Sequence, residues 1–581
     1  MNDSKLLSLG LLFTFSFASI STFAIEPTDH VNQEQDQNQN QDQNVDLSVL
    51  QFDLKNIKGE KLHLSIDSST KVSDRWATKD PQVDKVEGTS TDRAYKEFKR
   101  HIDKHVKPVI VAVIDSGVDI KHKEFKGKIW VNEAELNGKQ GVDDDGDGYV
   151  DDINGWNFLG NKNGANVVST TLEVTREYKR LADKSSQGGL STEEEKYFER
   201  VKKLYVTKSV EASQILTRVK AMAADYAAAL EILKKEGLKK ETVKAVNKIA
   251  PKDQQTLDAK NKVLAYLQQG RNTEAFNTRI TFWTGQVKTS EQYYFNLNLN
   301  SSDVIGDHPT TMDEKGYGNS DVLGGDGEHG SHVSGIIAAR RHNWAGIEGQ
   351  ADNVLIMSLR AVPDGDERDK DIANAVNFAV NHGAKIINMS FGKPLSPNRD
   401  YVMAAFKFAE ENDVLIVHAA GNDNMDLDLE ESYNYPSRKM LNSDQSVSEI
   451  STWIEVGASG ALMGKALPAD FSNYGKKSVD FFAPGVGIKS TIPGGKYAAF
   501  SGTSMASPEV AGVAALIWSQ FPHLKAAQVR ELLMKTSRSY EGLLVTKPGE
   551  TEKDKPVLFS DLSIMGGIVS AFNAMKALIT L

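Results

Sequence analysis

The 581-residue chain contains no cysteine, and this absence removes several kinds of chemistry at once. Disulfide bonds, a thiolate nucleophile and cysteine-ligated zinc or iron–sulfur centres are all excluded. If the chain works outside the cell, its durability must come from core packing or from bound cations such as calcium. An excess of positive charge is lacking as well, because 68 basic residues face 79 acidic residues for a net charge of −11. This balance argues against binding to a nucleic-acid backbone as the main role.

Long hydrophobic runs are also scarce, and the most apolar stretch lies at the N-terminus. Residues 6–18 follow Lys5, and small residues stand at Thr22 and Ala24, the spacing that precedes a signal-peptidase cut. The run is shorter than the roughly 20 residues that span a bilayer. Residues 1–24 are therefore predicted to be a cleaved signal peptide, with an uncleaved membrane anchor as the alternative. We expect a secreted protein, extracellular or periplasmic, without a stable membrane anchor.

Residues 25–75 form a polar N-terminal segment that could serve as a short prosegment. Within it, residues 32–44 consist only of Asn, Gln, Asp and Glu, a composition that cannot offset the entropy of folding and predicts disorder. Residues 49–55 and 61–66 alternate apolar and polar side chains, which predicts a β-hairpin. The main domain is predicted to begin near Trp76.

Three motifs further along carry side chains suited to acyl transfer. The continuous apolar run 109–114 predicts a strand buried on both faces of a parallel sheet, and the run ends at Asp115. His329 opens a predicted apolar helix, and Ser504 opens a helix of small residues, where the helix dipole favours developing negative charge. Each motif alone is a common turn or helix cap, so the combination carries the prediction of a catalytic site.

The order Asp, His, Ser along the chain separates the hydrolase folds. An α/β-hydrolase places its serine first, and the chymotrypsin order places its histidine first. Residues 502–506 also lack the second glycine of the α/β-hydrolase nucleophile elbow. A lipase or an esterase is therefore disfavoured.

In these motifs the chain resembles the subtilases, the subtilisin-like serine peptidases. Segments 113–119, 329–335 and 501–508 are similar to the family's three active-site signatures, and the resemblance covers residues 76–160 and 321–578. It implies a three-layer α/β fold with a mainly parallel sheet, and it implies proteins or peptides as substrates.

The resemblance also implies a role for each motif residue. Asp115, His329 and Ser504 would form a catalytic triad, in which Ser504 attacks the peptide carbonyl and His329 transfers the proton. Asp115 would fix the imidazole tautomer and stabilise its cation. His332, three residues after His329, is expected to be structural. Asn422, which follows a predicted buried strand, would donate its side-chain amide to the oxyanion.

Further residues are implied to hold the substrate, both as an added antiparallel strand and at the floor of the primary specificity pocket. These substrate-binding residues are Ser390, Gly392, Ala420, Gly421 and Asn434. Acidic side chains crowd residues 423–431 and leave the side-chain preference open. An acidic rim would favour basic side chains, whereas a merely solvated loop would leave a preference for large apolar ones.

A separate motif predicts a calcium site. Residues 143–152 (DDDGDGYVDD) repeat carboxylates at alternate positions and turn at a glycine, as the front of an EF-hand loop does. The twelfth position is Asn154 rather than glutamate, so the motif is not a complete EF-hand. A solvated acidic turn is the alternative. The candidate ligands are Asp143, Asp145, Asp147, Tyr149 and Asp152.

The long separation between Asp115 and His329 predicts a helical insertion, residues 161–320, inside a peptidase domain spanning residues 76–578. Residues 171–290 hold 23 basic and 15 acidic side chains, which gives +8 and leaves −19 for the rest of the chain. This opposition favours docking on the acidic remainder or on an unknown acidic partner, with a solvated lysine-rich surface as the alternative. An apolar stripe predicts one long helix, formed by Val210, Ile215, Leu216, Val219, Met222, Tyr226, Leu230 and Leu233.

The sequence thus predicts a secreted serine endopeptidase that works through an Asp-His-Ser triad and an acyl-enzyme intermediate. Calcium would be a structural cofactor, and the chemistry itself would need none. The alternative is a catalytically silent binding protein on the same fold, which the intact motif residues disfavour.

Overall fold

The computed structural model describes residues 72–103, 105–267, 285, 288–343, 346–441 and 446–580. The predicted signal peptide, the polar tract and the predicted N-terminal hairpin lie outside these residues. Among the helices that are described, none combines the length and the apolar character needed to cross a membrane. The chain divides into two compact units, Met1–Val168 with Ser301–Leu581, and Ser169–Asn300.

All strands of the described residues belong to the first unit. They are β1 (Val109–Asp115), β2 (Gly155–Asn157), β3 (Val354–Arg360), β4 (Ile386–Met389), β5 (Leu415–Ala419), β6 (Lys439–Leu441), β7 (Val447–Glu449), β8 (Trp453–Ser459), β9 (Phe481–Pro484), β10 (Ile488–Ile492), β11 (Lys496–Phe500), β12 (Arg538–Ser539), β13 (Leu544–Val545), β14 (Val557–Leu558) and β15 (Gly567–Ile568).

The helices are spread over both units, with α4 to α7 in the second. They are α1 (Pro81–Asp84), α2 (Thr91–Glu97), α3 (Glu133–Leu136), α4 (Glu173–Ser186), α5 (Thr192–Lys235), α6 (Val243–Asn247), α7 (Gln254–Leu267), α8 (Ser302–Ile305), α9 (Glu328–Ala338), α10 (Asp369–Asn381), α11 (Arg399–Glu411), α12 (Thr503–Gln520), α13 (Ala526–Thr536) and α14 (Ala571–Ile579). Short 3₁₀ turns lie at Trp76–Thr78, Lys123–Phe125 and Phe559–Asp561, and a π turn lies at Ser290–Tyr294.

A nine-stranded sheet forms the centre of the first unit in the described residues, in the order β12-β15-β9-β8-β5-β4-β1-β3-β2. The pair β12–β15 is antiparallel, and the other neighbours run parallel. Strand β1 lies between β3 and β4, so its last residue, Asp115, stands at the carboxyl edge in the middle of the sheet. In open parallel sheets this edge is where functional sites assemble.

Helices cover both faces of this sheet and make three layers. Alternate residues of β1 serve the two faces: Val111 and Val113 join a core with α9, α12, α13 and α14, whereas Ala112 and Ile114 join a core with α10 and α11. Both faces are apolar because both are covered, which explains the unbroken apolar run in β1. The three-layer α/β prediction with a mainly parallel sheet is confirmed.

The second unit is helical. Its 44-residue helix α5 begins with a capping box, in which Ser191 Oγ accepts from the Glu194 N–H (3.2 Å) and a Glu194 carboxylate oxygen accepts from the Ser191 N–H (2.9 Å). The C-terminal part of α5 packs against α7. This unit, Ser169–Asn300, is narrower than the predicted insertion 161–320, because the flanking residues hydrogen-bond within the sheet unit.

The predicted apolar stripe of this helix is buried in part. Val219, Tyr226, Leu230 and Leu233 are buried, but Val210 and Met222 are 47% and 42% exposed. Among the described residues, Val210 and Met222 lie outside the apolar cluster that α5 forms with α7.

Candidate active site

The end of β1 and the start of α9 bring two motif residues together. Asp115 is 1% exposed, and its Oδ1 lies 2.7 Å from His329 Nδ1. The Ser116 N–H also donates to Asp115 Oδ1 (2.7 Å), which fixes the carboxylate orientation. Gly330 permits the close approach, because a Cβ there would lie 2.2 Å from the Gly117 carbonyl oxygen. Because Nδ1 contacts Asp115, Nε2 is the ring nitrogen that can accept and release a proton.

The electrostatics of this pair favour the imidazolium. Burial alone would lower the pKa of His329, but the Asp115 carboxylate and its hydrogen bond outweigh that effect, and the pKa lies above its usual value. The carboxylates of Asp326 and Glu328 act in the same direction. A base with a raised pKa holds its proton more firmly once it has taken it.

Ser504 is the second residue of α12, a position where free N–H groups and the helix dipole favour an anion. Its hydroxyl donates to the Ser390 carbonyl (3.1 Å). Helix α12 packs closely on α9, since a Cβ on Gly512 would lie 3.4 Å from Ile337 Cα. The nucleophile motif and the histidine motif therefore start neighbouring helices on one face of the sheet.

A proline explains how α12 is tied to the predicted substrate segment. Pro508 lies inside the helix and has no N–H to give to the carbonyl of Ser504 four residues earlier. Instead, Ser390 Oγ donates to that carbonyl (3.0 Å). Because Ser504 Oγ donates back to the Ser390 carbonyl, the two serines are linked twice, and the predicted nucleophile is held against the predicted substrate strand.

The amide of Asn422 is oriented by Thr503, a residue that sequence reasoning missed. Asn422 Oδ1 accepts from the Thr503 N–H (2.8 Å) and from Thr503 Oγ1 (3.0 Å), while Thr503 Oγ1 accepts from the Gly421 N–H (3.1 Å). These bonds use the oxygen side of the amide, which directs Nδ2 the other way. A Cβ on Gly502 would lie 3.6 Å from both Asn422 Nδ2 and the Ser504 nitrogen, so both nitrogens lie close to Gly502.

The other predicted substrate residues lie around the same strand ends. Asn434 Nδ2 donates to the carbonyls of Ala419 (3.3 Å) and Ala420 (2.9 Å). Gly392 faces this amide, because a Cβ there would lie 2.2 Å from Asn434 Oδ1. Gly421 has a positive φ of 101°, which glycine alone adopts readily. The structure therefore groups Gly392, Ala420, Gly421 and Asn434 in one place.

His332 lies in the core, in contact with β11. It is fully buried, its Nε2 lies 3.1 Å from the Ala498 carbonyl oxygen, and its ring stacks on Phe500 at 4.2 Å. Burial lowers the pKa of His332 to about 3, and His329 adds to the decrease. A ring held neutral in the core fits the structural role expected of it.

The acidic loop gathers two overlapping groups of side chains whose ligand atoms lie within 4.8 Å of one another. One group is Glu135, Asp145 and Asp152, and the other is Asp145, Asp147 and His382. Burial raises the pKa of Asp152 to about 7, and the nearby carboxylates add to the rise. Asp152 Oδ2 is buried without a hydrogen-bond partner and lies 3.5 Å from His382 Nε2, so its charge can be balanced by that imidazole or by a bound cation.

Two predicted ligands lie outside these groups. The Asp143 carboxylate accepts from the N–H groups of Gly146, Asp147 and Gly148 at 2.7 to 3.2 Å and so shapes the loop backbone. The side chain of Tyr149 is buried and packs on Trp156. Sequence reasoning missed Glu135 and His382, which come from other segments.

The comparisons with known proteins agree with this geometry. The model of the Subtilase family matches residues 107–556, and the chain belongs to the subtilase family. It is 40% identical over 193 residues to the "Thermophilic serine proteinase" of Bacillus sp. (strain AK1), a match covering 33% of this chain and 43% of that protein. It is 34% identical over 245 residues to "Subtilisin BL" of Lederbergia lenta, covering 42% of this chain and 78% of that subtilisin.

A third relative is the "Cell wall-associated protease" of Bacillus subtilis (strain 168), 33% identical over 239 residues, which are 41% of this chain and 24% of that protease. The chain thus spans less than half the length of this relative and of the strain AK1 proteinase.

Proposed function

We propose that this subtilase is a secreted serine endopeptidase with Asp115, His329 and Ser504 as its triad. The observation that carries the proposal is the 2.7 Å contact between the buried carboxylate of Asp115, at the end of β1, and the imidazole of His329, at the start of α9. Helix α9 packs against α12, the helix that begins beside Ser504. The predicted signal peptide supports secretion. The names of the relatives, which describe a proteinase and a protease, support the proposed activity.

In the proposed mechanism Ser504 Oγ attacks the peptide carbonyl carbon while His329 Nε2 takes the hydroxyl proton. The tetrahedral oxyanion accepts hydrogen bonds from Asn422 Nδ2 and the Ser504 N–H. His329 then gives its proton to the leaving amine, and an acyl-enzyme remains on Ser504. Water attacks that ester by the same steps in reverse, with His329 again as the base.

Digestion of an unfolded protein tests this proposal against its rivals. The purified chain should cut casein at internal bonds and should also hydrolyse small esters. A silent binding protein would do neither, and an esterase would hydrolyse the esters but leave casein intact. Digestion of an unbiased peptide library would also decide between basic and large apolar side chains before the cut.

Asn422→Ala should lower turnover about 10²–10³-fold with little change in substrate affinity, since an oxyanion donor acts mainly in the transition state. Steady-state kinetics on a peptide amide would give kcat and KM separately. Asn424→Ala, two residues further on, is the matched control and should leave kcat unchanged. A loss in KM alone for Asn422→Ala would remove this residue from the oxyanion hole.

We also propose a structural calcium ion held by the oxygen-rich group Glu135, Asp145 and Asp152 with Asp147 beside it. Carboxylate oxygens are the ligands that Ca²⁺ prefers, and the imidazole of His382 is a less usual one. The ion would neutralise the mutual repulsion of these carboxylates and fix the loop. It would take no part in acyl transfer.

Millimolar calcium should therefore raise the Tm of the Ser504→Ala protein, which cannot digest itself. Binding to the folded state alone stabilises by about 2.7 kcal/mol at a hundredfold excess over Kd. Asp145→Asn with Asp147→Asn should remove most of that gain, whereas Asp144→Asn, outside both groups, should keep it. Melting curves that coincide in chelator and in calcium would contradict the site.

We propose that the chain cleaves its own N-terminal segment near residues 65–80. The packing of Trp76 narrows the range in which this cut can fall. Trp76 is 3% exposed, and a Cβ on Gly88 would lie 2.5 Å from the Trp76 carbonyl oxygen. A cut beyond Trp76 would remove core contacts, whereas Asp74 is exposed.

N-terminal sequencing of the secreted wild type should therefore find a start between residues 65 and 76, and the Ser504→Ala protein should retain Ile25. The same start in both proteins would show that the chain does not process itself.

A further inference from the structure

A buried histidine beside the site has no part in the mechanism above. His418 lies on β5, four residues before Asn422, and it is fully buried. Its strand neighbours are β4, where Met389 is its register partner, and β8, where Glu455 is. The ring therefore stands between the strand that leads to Ser390 and the strand on the opposite side.

Both ring nitrogens of His418 face acceptors. Nδ1 lies 2.9 and 3.1 Å from the two carboxylate oxygens of Glu455, and Nε2 lies 2.9 Å from the Phe391 carbonyl oxygen. A carbonyl can only accept, so Nε2 must carry a proton. Nδ1 then either carries a second proton or receives one from the Glu455 carboxyl group.

The surroundings hold Glu455 in place from its other side. Trp453 Nε1 donates to Glu455 Oε2 (2.7 Å), and the ring of Trp453 lies 5.1 Å from that of His418. The Glu455 N–H donates to Asp480 (2.7 Å), whose carboxylate pairs with Arg438 and Arg530.

The Phe391 carbonyl lies between two residues of the proposed substrate segment, Ser390 and Gly392. The carbonyl of Ser390 accepts from Ser504, whereas the carbonyl of Phe391 accepts from His418. The segment is thus anchored on one side by the nucleophile helix and on the other side by the oxyanion strand. A rotation of the Phe391 peptide group would alter the main-chain groups that a bound peptide meets.

We propose that His418 is a positioning residue for substrate binding: its Nε2–H, held by Glu455, fixes the Phe391 carbonyl and thereby the orientation of residues 390–392. This inference rests on the proposed function, in which that segment pairs with the substrate. It predicts that the His418 contact lowers KM for substrates long enough to form the added strand and has little effect on KM for shorter substrates.

Two substitutions that differ by one methylene test the proposal. The side-chain nitrogen of His418→Gln reaches about as far as Nε2 and keeps a donor for Phe391, whereas that of His418→Asn reaches only as far as Nδ1. With a tetrapeptide amide, His418→Asn should raise KM about tenfold, the loss expected for one hydrogen bond, and His418→Gln less than about threefold. With a single-residue ester, KM should stay near the wild-type value in both variants.

The concentration of active sites is measured by fluorophosphonate titration. Protein that has lost its fold is then not counted when kcat is calculated. Equal effects of the two variants on the tetrapeptide, or equal effects on tetrapeptide and ester, would overturn the positioning role. A wild type that neither titrates nor cleaves would overturn the proposed function itself, which is a distinguishable failure. Should a variant fail to fold, ¹⁵N spectra of histidine-labelled Ser504→Ala protein still decide, because an unprotonated His418 Nε2 contradicts the proposal.

Discussion

Ser504→Ala is expected to abolish peptide hydrolysis, with a loss of about 10⁴–10⁶ in turnover, because a triad member acts as part of a unit. Ser504 Oγ is the atom that would form the ester bond of the acyl-enzyme, and alanine has no such atom. The fold should survive, since the substitution removes the hydrogen bond to the Ser390 carbonyl but leaves the Ser390 bond to the Ser504 carbonyl in place. Hydrolysis of a peptide amide and the thermal midpoint would be measured on the same preparation.

Ser507→Ala is the matched control, three residues along the same helix. Its hydroxyl donates to Asn388 Oδ1 (2.9 Å) in the core, so the variant loses a buried hydrogen bond without losing the nucleophile. It should be less stable but keep its turnover per folded molecule. Substantial activity in Ser504→Ala, or equal losses in both variants, would contradict the assignment of the nucleophile.

Asp115→Asn should lower kcat about 10⁴-fold, as the loss of the orienting carboxylate does in serine triads. It should also change the pH profile. His329 acts as a base only when neutral, so wild-type activity rises with pH through its raised pKa. Without this carboxylate, the largest effect that raises the pKa of His329 is gone, and burial lowers the pKa against the smaller effects of Asp326 and Glu328. The residual activity should therefore persist to lower pH than in the wild type.

Glu328→Gln provides the control for charge alone. This neighbouring carboxylate also raises the pKa of His329, yet its effect is smaller than that of Asp115 and it does not orient the ring. The pH profile should move slightly to lower pH, and turnover should stay within a few-fold of the wild type. If Glu328→Gln lowered turnover as far as Asp115→Asn, orientation by Asp115 would not be the basis of the effect.

Local patterns were enough to predict the framework of this site. The apolar run ending at Asp115 is a central strand, and the motifs of His329 and Ser504 do begin helices. These features depend on short-range periodicity and on burial of both faces of a parallel sheet, which a single sequence displays. The family resemblance then supplied the roles of the residues.

The supporting contacts were not predictable in the same way. His418 and Glu455 are 37 residues apart and meet because β5 and β8 pair in a particular register. His382 reaches the acidic loop from the end of α10, and Thr503 orients Asn422 across 81 residues. Each contact depends on the order of strands in the sheet, which is a property of the whole fold.

Labelling by a fluorophosphonate, located by peptide mass spectrometry, tests the central claim most directly. The reagent forms a stable bond with a serine whose hydroxyl is activated by a neighbouring base. The account predicts one adduct per folded chain, on the peptide that contains Ser504, and none in Ser504→Ala. An adduct on another residue, or no adduct on folded wild-type protein, would contradict it.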